Sequence, residues 1–204
     1  VQLFIDGGGF MWPILFIFII GFVFVGERLY HLIKGLSANE QFAMDVAETL
    51  NNSGVDEAKA KCDAAIGPVA NLCYNALEKA DEGVDAAEKT LDQTGTIEMA
   101  SLEKNMTWIS LCIATAPMLG FLGTVWGMIQ AFNDIKMAND ISPAVVAGGI
   151  SVALLTTAFG LVVAVVLQIL QNAVMYIIDN QIVTLQKSTT MLLNAIGKKT
   201  KNNF

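Results

Sequence analysis

Residues 106–133 and 141–178 carry no charged side chain, and a third apolar run covers residues 10–30. A helix needs about 20 apolar residues to cross the hydrocarbon of a bilayer. The pattern therefore predicts three transmembrane helices, over roughly 10–30, 108–132 and 144–178. The third is longer than a bilayer requires: at 1.5 Å per residue it runs about 50 Å against a core of about 30 Å. From Gln168 onward it gains Gln171, Asn172, Asp179 and Asn180, so it is expected to leave the membrane as a continuous helix to about Ile196. There it can pack on the helices of the polar middle segment.

That middle segment alternates apolar and polar positions at helical period. Helices are expected over 38–50 and 55–65, separated by the turn Asn51-Asn52-Ser53-Gly54, then over 69–79 after the break at Gly67-Pro68. Val69, Leu72, Cys73, Ala76 and Leu77 fall on one face of the last. Further helical pieces are expected over 85–91 and 96–104, the second running straight into the second membrane helix. The predicted fold class is an all-α membrane protein: three transmembrane helices with long cytoplasmic helical extensions. Four segments follow: 1–34 (periplasmic N-terminus and first membrane helix), 35–105 (cytoplasmic helices), 106–180 (transmembrane hairpin) and 181–204 (cytoplasmic helix and tail).

Composition agrees. The chain is 54% hydrophobic and 15% charged, against about a quarter charged in soluble domains. The net charge of −7 lies almost wholly in the middle segment and excludes a basic nucleic-acid surface. The first apolar run has no basic stretch before it and no small-residue cleavage pattern after it, and it ends at Glu27-Arg28; it reads as a retained helix. Lys and Arg cluster after the first and third helices, whereas the connection between the second and third holds only Lys136. The positive-inside rule then puts the N-terminus outside and the middle segment and C-terminus in the cytoplasm. Cys62, Cys73 and Cys112 show no paired spacing and read as free thiols. No nucleotide loop, hydrolase elbow or metal-ligand cluster is present, so neither an enzyme site nor a cofactor or metal is expected.

The two uncharged stretches are not uniformly greasy. Pro117, Gly120, Thr124 and Gly127 share one face of the second helix, and Gly149, Ala153, Thr157, Gly160 and Ala164 share one face of the third. Such faces let backbones approach closely where lipid gives no hydrophobic drive. Pro117 removes a backbone bond from its helix. Thr124, Thr156 and Thr157 place hydroxyls deep in the hairpin. On the residues alone two readings stand. Each hydroxyl can bond the i−4 carbonyl of its own helix and serve packing only, or the hydroxyls can line a polar path. A mid-bilayer carboxylate costs about 2.5–3.5 kcal/mol, while a hydroxyl is cheap and both donates and accepts.

The run ATAPMLGFLGTVWGMI (114–129) resembles the second-helix motif of the MotA/TolQ/ExbB proton-channel family, and GISVALLTTAFG (149–160) resembles its third-helix motif. Glu27-Arg28 also matches, and the chain is most like the ExbB branch. The resemblance implies a homopentamer around the membrane helix of a small ExbD- or TolR-like partner that carries an Asp. It also implies coupling of the proton motive force, through a TonB-like protein, to outer-membrane transport from the bacterial inner membrane. The family's pore threonines map onto Thr124 and Thr157, with Thr156 a neighbour of lesser role. Glu27 and Arg28 are expected to anchor the first helix at the lipid interface. Trp12 and Trp108 sit near helix ends as interfacial aromatics, and Asp134 and Asp140 bracket the outer turn as solvated acids. Val152 stands where many members of TonB systems have Glu, so the chain offers no titratable group of its own there. Two alternatives remain: a TolQ-like subunit in envelope maintenance, and a scaffold that conducts nothing.

Overall fold

The computed structural model describes residues 2–35, 40–138 and 143–202, and every regular element among them is helical. The order is α1 (Gln2–Asp6), α2 (Met11–Gly35), α3 (Glu40–Asn52), α4 (Val55–Asp63), α5 (Pro68–Glu78), a 3-10 turn (Ala80–Glu82), α6 (Val84–Leu102), α7 (Met106–Ala138) and α8 (Pro143–Asn202). Helices α2, α7 and α8 are long and apolar enough to cross a membrane. The chain divides into two compact units: residues 1–27 with 105–173, and residues 28–104 with 174–204.

The first unit holds the start of α2, all of α7 and the first half of α8. Its interior is small: Ile14, Cys112, Ala116, Val163 and Leu167, flanked by Ile17, Phe18, Ile113 and Leu119. A Cβ on Gly21 would come within 2.7 Å of the Leu167 side chain and 3.3 Å of the Cys112 Cβ, so α2 packs closely here. The outward side chains are large and apolar, among them Phe16, Phe22, Met118, Phe121, Leu154 and Val165. In water such a surface would drive association; in lipid it needs no cover.

The second unit is built in the opposite sense, with apolar residues inside and charge outside. Val46, Leu50, Leu72, Leu77, Leu91, Leu185 and Leu192 form one buried cluster with Cys62 and Cys73. The end of α8 thus packs on α3–α6, as its apolar period suggests. Lys187 pairs with Glu40 at 3.0 Å, and Lys199 donates to the Leu50 carbonyl at 3.3 Å. The buried Gln181 donates to the Leu32 carbonyl at 3.0 Å. The thiols of Cys62 and Cys73 are hydrogen-bonded to each other. That bond and burial together hold the Cys73 thiol well above its ordinary range, while the same bond draws Cys62 down.

Two expectations about the middle segment need correction. The pieces placed at 85–91 and 96–104 are one helix, α6. Gly95 does not interrupt it because it is buried inside it, 3.6 Å (from the position of an added Cβ) from the Leu72 side chain on α5. Nor does that helix run on into the membrane helix. It ends at Leu102, residues 103–105 form a turn, and α7 starts at Met106. Asn105 sets the break with φ 65°, the left-handed conformation that Asn tolerates better than most residues. At the earlier breaks glycine does the same work: Gly54 and Gly67 hold φ 105° and 146° immediately before α4 and α5.

Candidate functional site

The α7–α8 seam follows from the small residues on the two facing helix surfaces. A Cβ added to Gly120 would lie 2.9 Å from the Thr156 carbonyl oxygen and 3.1 Å from the Thr157 Cα. One added to Gly160 would lie 2.7 Å from the Ala116 carbonyl oxygen. Gly127 and Gly149 face each other in the same way, 2.7 and 2.6 Å from each other's carbonyl oxygens. Ala153 fills the space beside Gly127. Five of the six packing residues predicted on residue spacing, Gly120, Gly127, Gly149, Ala153 and Gly160, meet along this seam; the sixth, Pro117, is half-buried. Gly123 joins them although the spacing did not select it: its added Cβ would lie 2.6 Å from the Thr156 side chain.

At the middle of this seam Thr124 and Thr157 are hydrogen-bonded to each other through their hydroxyls. Thr124 Oγ1 also reaches the Ala153 carbonyl at 3.2 Å and the Gly120 carbonyl at 3.3 Å. Thr157 Oγ1 reaches the Gly120 carbonyl at 3.2 Å. Each hydroxyl has one proton and two lone pairs. Two protons therefore serve more acceptors than they can satisfy at once, and each hydroxyl can rotate between a carbonyl and its neighbour. Both residues are half-buried. Thr156 differs. It is fully buried and donates to the Val152 and Ala153 carbonyls at 3.0 Å, bonding within its own helix.

Where α7 ends and α8 begins, a pocket of about 510 Å³ is lined by Asp6, Gln130, Asn133, Asp134, Gly148, Gly149, Ser151 and Val152. Val152 thus lies at a polar mouth with two carboxylates, in the helical turn before Thr156 and Thr157. Asp140, the other acid expected beside this turn, lies outside the described residues. Glu27 accepts a bond from Asn105 Nδ2 at 2.8 Å. Arg28 is buried, and its Nη1 donates to the Ser101 carbonyl at 3.4 Å, near the end of α6, where a cation complements the helix dipole. Both members of the motif at the end of the first apolar run are therefore held by protein groups. Trp108 stacks on Phe24 with ring centroids 6.2 Å apart, and Trp12 meets Phe4 edge-on at 5.5 Å. A second polar contact on the hairpin went unpredicted: Gln171 Nε2 donates to Ser110 Oγ at 2.6 Å. Among the described residues no group of side chains is arranged to hold a metal ion.

A tightly packed helical hairpin with a hydroxyl pair at its centre, and no Asp, Glu, Lys, Arg or His along either apolar stretch, defines a membrane-helix protein with an uncharged seam. The profile of the MotA/TolQ/ExbB proton channel family matches residues 64–187, and the chain belongs to that family. An ExbB homolog of Methanothermobacter thermautotrophicus, described as a biopolymer transport protein, is 30% identical over 183 residues, 89% of this chain and 65% of the relative. The biopolymer transport protein ExbB of Neisseria gonorrhoeae is 32% identical over 152 residues, covering 68% of this chain and 66% of its own length. That of Xanthomonas campestris pv. campestris is 41% identical over 78 residues, 38% of this chain and 31% of the relative. The chain thus spans about two thirds or less of these relatives. The family is described as one of proton channels, and the chain is most like its ExbB members.

Proposed function

We propose that this chain is the proton-conducting subunit of an energy-transducing complex in a bacterial inner membrane. Several copies, five by family resemblance, surround the single membrane helix of an ExbD-like partner. The N-terminus faces the periplasm; residues 35–105 and the C-terminal helix lie in the cytoplasm. The partner's Asp takes up a proton from the periplasmic side and releases it toward the cytoplasm. The resulting movement drives TonB-dependent transport across the outer membrane.

The observation that carries this reading is the Thr124–Thr157 pair. A protonated carboxylic acid brought beside it can donate to a hydroxyl, and a carboxylate can accept from one. Rotation of the two hydroxyls accommodates both states without creating a charge on this chain. Residues 106–133 and 141–178 contain no Asp, Glu, Lys, Arg or His, so on this reading the carboxyl that carries the proton comes from the partner. The polar mouth at Asp6 and Asp134 supplies water on the outer side, and Glu27 and Arg28 fasten the inner end of the first helix.

Thr157→Val tests the proposal, because it keeps the volume and removes the hydroxyl. The variant should assemble and retain its single-helix partner on co-purification, yet lose proton-driven activity. Full activity in the variant ends the channel reading and favours the scaffold. Co-purification without any single-helix protein carrying a membrane Asp does the same. Loss of iron uptake, as against gain of detergent sensitivity, separates ExbB-like from TolQ-like work.

A further inference from the structure

Fourteen residues before Thr124 on α7 stands Ser110, and fourteen after Thr157 on α8 stands Gln171. In an antiparallel hairpin these equal steps keep the two pairs on one seam, about 21 Å apart along the helices. The second pair is bonded, with Gln171 Nε2 donating to Ser110 Oγ at 2.6 Å, and Ser110 Oγ reaches the Met106 carbonyl at 3.2 Å. Gln168 extends the network outward: its Nε2 donates to Gln171 Oε1 at 3.3 Å and to Asn172 Oδ1 at 3.2 Å. Gln168 and Asn172 are exposed, while Gln171 is half-buried.

Register says which way this cluster faces. At about 100° per residue, Gln168 lies about 20° from Thr157 around α8, Gln171 about 40° to one side and Asn172 about 60° to the other. The remaining exposed positions at these levels are apolar: Val162 and Val165 just before, and Ile169 within the cluster itself, which is 64% exposed. A helix merely emerging among lipid headgroups would become polar all round. This one becomes polar on a single side, the side that carries Thr157. The amides leave the Gln168 carbonyl oxygen and the Asn172 N–H groups without a partner within the chain among the described residues, an acceptor and donors for water.

We infer that Ser110, Gln168, Gln171 and Asn172 form a second, water-holding station on the proton path, at its inner mouth. The inference rests on the channel reading above. A proton released at the threonine level crosses the intervening apolar stretch of Leu161 and Ala164 on water and is received by water ordered by these amides. The amides are not themselves protonated; they fix the orientation of the water that accepts the proton and passes it on. Charge and proton number at the station are unchanged after each passage.

The test uses the full chain co-purified with its partner and reconstituted in liposomes holding a pH-sensitive dye, with a potassium diffusion potential as the drive. Gln168→Leu should lower proton flux about tenfold, the scale of one lost hydrogen-bonding contact at a rate-limiting step. The solvent deuterium isotope effect should rise, because transfer at the station becomes limiting. Gln168→Asn should restore most of the flux, and Ile169→Val should leave it unchanged. Wild-type flux in Gln168→Leu, with Thr157→Val inactive, overturns the station and leaves the channel standing. Wild-type flux in Thr157→Val overturns the channel and the station together. If Gln168→Leu does not assemble, cysteine accessibility decides: Gln168→Cys should react with a cationic, water-borne thiol reagent and Ile169→Cys should not. Equal reactivity, or the reverse order, refutes the inference.

Discussion

Gly127→Ala is the most direct probe of the seam. The added methyl would sit 2.7 Å from the Gly149 carbonyl oxygen, 2.8 Å from the Ala153 nitrogen and 3.0 Å from the Ala153 Cβ. Two of these neighbours are backbone atoms and the third is fixed to one, so no flexible side chain can swing away. Ordinary contact begins near 3.4 Å, so α7 and α8 must part locally by about 0.7 Å. The Thr124 contact with the Ala153 carbonyl, 3.2 Å long, then stretches by the same amount to about 3.9 Å and ceases to be a hydrogen bond. Overpacking of this kind costs about 1–3 kcal/mol. At about 2–4 °C per kcal/mol for a chain of this size, the melting temperature should fall by about 2–12 °C. Gly148→Ala is the control. No atom lies within 4 Å of its added Cβ, and Ala in place of Gly in a helix gains up to about 1 kcal/mol. Melting of the purified complex in detergent, followed by intrinsic fluorescence, reads the first effect, and proton flux in liposomes reads the second. A Gly127→Ala complex that melts with the wild type and conducts normally refutes the claim that backbone proximity positions the hydroxyl pair.

Asn105→Ala should destabilise the chain by about 1–3 kcal/mol, because it puts a Cβ without a local hydrogen-bonding side chain at φ 65° and removes the bond to Glu27. Asn105→Gly keeps the backbone conformation and should cost less; the reverse order in thermal melts would refute the strain argument. The cysteine pair predicts a pH dependence. Cys73 has a folded pKa raised above its ordinary value of 9.0, so its contribution is complete below pH 9 and lost as pH rises above it. Cys62, whose folded pKa is lowered, contributes stability that is lost as pH falls through its folded pKa; it is already complete above 9 and does not offset the decline. Cys73→Ala should therefore flatten the fall in chemical-denaturation stability between pH 9 and 10.5, and an unchanged slope would show that Cys73 is not the group responsible.

The three long helices and the facing small residues were legible because length and apolar run decide the first, and a 3.6-residue period decides the second. Gly123 escaped because one column of spacing was followed, whereas a helix surface in close contact is wider than one column; the adjacent Thr156 fills the groove that Gly123 leaves. The turn at 103–105 escaped because residues 96–104 are sound helix formers and nothing local forbids continuation. Only the positive φ of Asn105 marks the stop, and Asn is a weak marker for it. The gap left between 85–91 and 96–104 closes because Gly95 lies buried against Leu72 inside α6. The Ser110–Gln171 bond could not be read at all without the hairpin register, which the Gly120–Gly160 and Gly127–Gly149 contacts set by tertiary packing.

The same register explains why Val152 does not by itself disable the site. A carboxylate there would face the polar mouth shared with Asp6 and Asp134, a turn away from Thr156 and Thr157, and would add a third negative charge to it. With valine in place, the first fixed polar groups met along the seam beyond the mouth are the hydroxyls. Their bonds to the Ala153 and Gly120 carbonyls span both helices, so separation of α7 from α8 and disruption of the hydroxyl pair are one event. Seam substitutions should therefore lose stability and proton flux together, whereas Thr157→Val should lose flux with little loss of stability. Observing that difference would assign the glycines to geometry and the threonine to the proton.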